Sequence, residues 1–157
     1  MALSVPYEPG REHMTEVQGQ SRAARILFAT TALGAVALDA AHVFVGGPRF
    51  VSALFGSRDL EPTAQWMGYF VWHTVSVVLG VIALAFIYLA LRQETAATQL
   101  KPLALFATAL LLGVAALGVV FGLVSDGALS GTPAPYAFGV LALLAVAGTA
   151  KLTACGA

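Results

Sequence analysis

Apolar residues along this chain fall into four long blocks, covering about residues 26–45, 66–91, 103–124 and 135–152. Each approaches the ~20 residues that an α-helix, rising 1.5 Å per residue, needs to cross a hydrocarbon layer of ~30 Å. Each is hydrophobic all round, whereas a helix bordering water keeps roughly half its circumference polar. Short alternating segments bounded by frequent turns, the mark of a membrane β-barrel, do not occur. The pattern predicts an all-α integral membrane protein, with four transmembrane helices in an antiparallel bundle.

The polar stretches between the blocks set the boundaries. Residues 1–22 read as a polar tail, flexible or briefly interfacial, and residues 23–157 as the four-helix domain. The first block follows this tail and has no small-x-small cleavage site after it, so it is expected to be a retained span. Its end, "AHVFVGGPRF", predicts a stop: Pro48 should terminate the helix, and Gly46 and Gly47 should allow a left-handed exit. The following "RFVSALF" suits a short interfacial helix, with Phe50, Leu54 and Val51 toward lipid. The connections "RQETAATQLKP" and "SDGALSGTPAP" are short, which favours consecutive spans packed side by side.

Composition supports the membrane reading and narrows it. Of the 157 residues, 59% are hydrophobic, so four spans leave no room for a second domain. The mean hydropathy of +0.84 lies far above what a small soluble domain needs. Eight basic and eight acidic residues cancel, which gives no electrostatic ground for binding nucleic acid. Arg11, Arg22, Arg25, Arg92, Lys101 and Lys151 fall on one side of the predicted topology, and Arg49 and Arg58 on the other. The positive-inside rule then places both termini in the cytoplasm, in a bacterial inner membrane as the expected setting. Cys155 is the single cysteine, which excludes an intramolecular disulfide or a CxxC redox pair.

Against this apolar background a few residues stand out as candidate chemistry. Asp39, His42 and His73 are the ionisable side chains well inside the blocks, where an unpaired acid or imidazole is costly and usually faces the bundle interior. Asp39 and His42 share a helix face, and helical rise puts Asp39 and His73 at similar depths of about 9 and 10 Å. Three readings of the cluster compete. In one, Asp39 accepts a hydrogen bond from a histidine and pins the first two helices. In another, the two histidines and the carboxylate hold a divalent metal, or His42 and His73 ligate a haem. In the third, they move protons in a small membrane enzyme acting on an apolar substrate. His13, in the polar tail, reads as an ordinary exposed histidine. Arg49, just past the Gly-Gly-Pro turn, is a candidate for a lipid phosphate or another anionic ligand. Gly118 and Gly122, four apart, with Gly113 and Gly139, are candidates for close helix packing, within the bundle or against another subunit.

The functional expectation is accordingly a small helical membrane subunit or accessory protein, packed in the bilayer against itself or a larger complex. Its rivals are a compact redox, metal- or haem-binding protein and a small membrane enzyme.

Overall fold

The computed structural model describes the backbone over residues 9–92, 97–124 and 133–154, and side chains over 22–92, 99–124 and 133–152. The side chains of His13 and Cys155, and the whole of residues 125–132, lie outside the described residues. Among the described residues every regular element is helical: α1 (Pro9–Ala41), a π-helical turn (His42–Gly46), α2 (Gly47–Gly56), α3 (Pro62–Leu91), α4 (Ala97–Val124) and α5 (Ala134–Ala154). Four stretches are long and apolar enough to span a membrane: Arg22–Gly56, Pro62–Leu91, Gln99–Val124 and Ala134–Leu152. They form the antiparallel four-helix bundle that the block pattern predicts. Helix α1 already begins at Pro9, inside the stretch read as a tail.

Each span carries a buried stripe whose members recur three, four or seven residues apart. The stripes are Ala24, Phe28, Ala32 and Ala35 on α1; Leu79, Ile82, Phe86 and Leu89 on α3; Leu100, Ala104, Ala107 and Leu111 on α4; and Leu141, Ala145 and Leu152 on α5. That spacing keeps one seam of each helix toward its neighbours in a slightly inclined bundle. Water does not drive helices together inside a bilayer, so association rests on close van der Waals fit. The fit alternates small with large. The rings of Phe28 and Phe86 lie 5.8 Å apart between α1 and α3. Gly148 of α5 lets Phe28 approach so closely that a Cβ there would stand 2.7 Å from its ring, and Gly34 makes room for Leu141 in the same way. One buried polar pair, Thr108 and Thr149, shares a 2.9 Å hydrogen bond between α4 and α5.

These stripes reach from the end of the bundle that holds the α1 start, the α3–α4 connection and the α5 end to about mid-span, at Ala35, Leu79, Leu111 and Leu141. Beyond that level, among the described residues, Gly47 is the one that is buried. Helix α1 packs extensively on α3 and α5, and α4 on α5, but α3 and α4 meet over a much smaller area. The bundle is therefore closed at its terminal end and splayed at the α2 end.

The Gly-Gly-Pro segment is a correction to the sequence expectation. Pro48 does not stop the helix; Gly47 is right-handed, with φ −52° and ψ −56°, and its N–H donates to the His42 carbonyl five residues back. A proline in a helix lacks its N–H and crowds the carbonyl four residues earlier. A widened π turn just before it makes room, and Pro48 becomes a first-turn residue of α2. Gly46 serves a different purpose from a left-handed exit: a Cβ there would lie 3.0 Å from the Trp72 indole. The face of α2 is a second correction. Phe50 stacks on Trp72 at 4.3 Å and Leu54 packs over Gly68, so both point to α3 instead of outward. Past the π turn the helical path continues, and α2 lies antiparallel along the first turns of α3.

Candidate functional site

Trp72 of α3 organises the splayed end. His42, in the π turn, stacks on its indole with ring centroids 3.8 Å apart and an interplanar angle of 15°. The same imidazole places Nε2 3.2 Å from the Trp72 carbonyl oxygen. With Phe50 stacked on the indole as well, one tryptophan joins α1, α2 and α3. Phe55, Trp66 and Tyr69 continue the aromatic cluster edge to face, with centroids 5.2 to 6.0 Å apart. Trp and Tyr gather in this way where a helix meets the membrane–water boundary. The turn ahead of α3 is tied by Gln65, whose side chain donates to the Ser57 carbonyl at 3.0 Å.

The three ionisable residues singled out in the sequence are handled separately. His42 is the pin between the first two spans, through Trp72 and not through Asp39. His73, the next residue after Trp72, is exposed on the helix surface and meets Tyr69 edge on at 4.4 Å. Asp39 buries Oδ1 with no hydrogen-bond partner, and so does the Ser76 hydroxyl on α3. Since Phe28 faces Phe86 and His42 faces Trp72, Asp39 and Ser76 occupy the same level of the α1–α3 interface. Among the described residues no three His, Cys, Asp or Glu side chains are grouped closely enough to hold a metal ion.

The splayed half encloses a cleft of about 620 Å³ between α3 and the α4–α5 pair, with His42 in its wall. Its lining is aliphatic and aromatic, including Phe70, Val78, Leu117 and Phe138. His42 and Thr74 are the polar side chains in that lining, and Thr74 donates its hydroxyl to the Phe70 carbonyl at 2.9 Å. Gly118 also lines the cleft, and Pro135 approaches to 3.6 Å of where its Cβ would be. The other candidate packing glycines are placed differently: a Cβ added at Gly113, Gly122 or Gly139 meets nothing within 4 Å. Arg49 is exposed in the first turn of α2.

Sequence reasoning missed both the cleft and the Trp72 hub. A signal for the hub was present in the aromatic run Trp66, Tyr69, Phe70, Trp72, whose members recur three and four residues apart. No local pattern announces the cleft, because it arises where α3 and α4 fail to meet. Comparison of the chain with protein-family models, with curated proteins and with solved structures finds no match.

Proposed function

We propose that this four-span protein is a small membrane accessory protein that binds the apolar body of a lipid-like molecule in the cleft between α3 and the α4–α5 pair. The observation that carries the reading is the cleft itself: about 620 Å³, almost wholly apolar in its lining, in the half of the bundle that lacks a core of its own. That volume is within the ~300–1,000 Å³ typical of ligand pockets. A flexible chain can follow such a cleft, whose lining is shared among α3, α4 and α5. Arg49, exposed on α2, would meet lipid phosphates at the same level and hold α2 in the headgroup layer. The basic residues at the terminal end favour that end in the cytoplasm and the cleft in the outer leaflet.

The test is native mass spectrometry of protein extracted in mild detergent, followed by solvent extraction of whatever remains bound. One lipid-like molecule per chain is expected, and it should be lost from Leu117→Trp, which fills the cleft from an exposed position. Retention by that variant at the wild-type level would sink the reading.

A second reading, association with another copy or a larger complex, draws on Gly113. It is exposed, with open space where a Cβ would be, and so permits close approach by an outside helix. Gly113→Leu should then lower the mass measured in detergent by light scattering, whereas an unchanged mass would argue against self-association.

A further inference from the structure

The polar groups of the cleft also say what kind of molecule it takes, and this step rests on the cleft being the binding site proposed above. The Trp72 carbonyl is an acceptor only, so the His42 Nε2 that faces it at 3.2 Å carries the hydrogen. In the neutral ring the proton then sits on Nε2, and Nδ1 keeps a lone pair. The stack on Trp72 holds the ring in place, which works against a flip that would put Cε1 where Nε2 meets the carbonyl and Cδ2 where Nδ1 stands. Thr74 uses its single hydroxyl hydrogen on the Phe70 carbonyl at 2.9 Å, leaving its oxygen with lone pairs alone. The polar side chains lining the cleft therefore offer two acceptors and no spare donor.

From this we infer that the cleft selects an apolar molecule bearing a hydroxyl: a long-chain or isoprenoid alcohol, or a phenol with a lipid tail, in preference to the matching ether, ester or ketone. A hydroxyl donates into the lone pair of His42 or Thr74. An ether or carbonyl oxygen brings a second lone pair to the same place, and is accommodated only by breaking a bond that His42 or Thr74 already makes. In an apolar surround such a mismatch leaves a polar atom unsatisfied. One net hydrogen bond is worth about 1 kcal/mol, or roughly five-fold in affinity.

The experiment uses the full chain in mild detergent with equal amounts of octadecanol and octadecyl methyl ether. Native mass spectrometry separates the two adducts by mass. The expected result is about five-fold more alcohol adduct than ether adduct, with the ratio falling toward one in Thr74→Val, a substitution of nearly equal shape at an exposed position. His42→Phe, which keeps an aromatic ring against Trp72, should lower the ratio too. Equal adducts in the wild type would overturn the hydroxyl preference while leaving the cleft reading in place. Absence of either adduct, or adducts that persist in Leu117→Trp, would overturn the cleft reading and this inference with it.

Discussion

Gly148 and Gly113 are both glycines in transmembrane helices, yet alanine at the two positions should act in opposite directions. Gly148 is buried against Phe28: a Cβ there would stand 2.7 Å from Cε1 and 2.9 Å from Cδ1 of that ring, and 3.3 Å from the Cβ of Leu27. Ordinary van der Waals contact begins near 3.4 Å, so the shortfall is about 0.7 Å against a ring edge. Phe28 cannot swing clear easily, because it is fully buried and its ring is 5.8 Å from that of Phe86 on the far side. Forcing an extra methyl into such a site costs about 1–3 kcal/mol. The better helix propensity of alanine returns up to about 1 kcal/mol, so Gly148→Ala should lose up to about 2 kcal/mol net, while alanine at Gly113 keeps the whole return. At Gly113 only the propensity gain operates, since nothing lies within 4 Å of an added Cβ. The assay is reversible unfolding in mixed micelles by increasing the fraction of a denaturing detergent, followed by far-ultraviolet circular dichroism. Gly148→Ala should unfold earlier than wild type and Gly113→Ala at the same point or later. Adding Phe28→Leu should recover part of the Gly148→Ala loss, because it removes the ring edge that the methyl strikes. A Gly148→Ala protein as stable as Gly113→Ala would refute the account of the core as a fit of small residues to large ones.

Three further outcomes can be read in the same unfolding assay. His42→Ala removes both the stack and the hydrogen bond to Trp72 and should cost about 1–3 kcal/mol, whereas His73→Ala, exposed on α3, should change stability by less than about 0.5 kcal/mol; equal losses would contradict the assignment of the pin to His42. Thr149→Val leaves the Thr108 hydroxyl without its buried partner and should cost about 0.5–2 kcal/mol, while the double replacement Thr108→Val/Thr149→Val should lie closer to wild type than to the sum of the singles. Asp39→Leu removes a carboxyl oxygen buried without a hydrogen bond and should raise stability by about 1 kcal/mol or more; a clear loss would show that the carboxyl group has a stabilising partner in the membrane.

The number of the spans was legible from the sequence because hydropathy is a property of each segment by itself. Twenty consecutive apolar residues face the same choice wherever they sit in the chain, so the four helices and their antiparallel order follow without tertiary information. The three-and-four spacing of Ala24, Phe28, Ala32 and Ala35, or of Leu100, Ala104, Ala107 and Leu111, is likewise readable once the spans are known. It was hidden by the apolar character of every other face, which removes the contrast that marks the buried side of a soluble helix.

What tertiary structure decided was which of several similar residues meets a neighbour. Four-residue spacing draws the eye to Gly118 and Gly122, but Gly34, Gly46, Gly68 and Gly148 are the glycines that another side chain crowds. A glycine's role depends on what lies across the interface, and spacing along one helix carries no record of it. The same holds for Asp39 and His42. One helical turn apart, they share a face, yet the imidazole turns to Trp72, where it gains a stack and a carbonyl acceptor together. Pro48 forbids an ordinary helical turn before it but not a wider one, so the chain continues through a π turn and lays α2 on α3. The cleft lies furthest from the sequence, because it is a consequence of α3 and α4 packing at one end of the bundle and parting at the other.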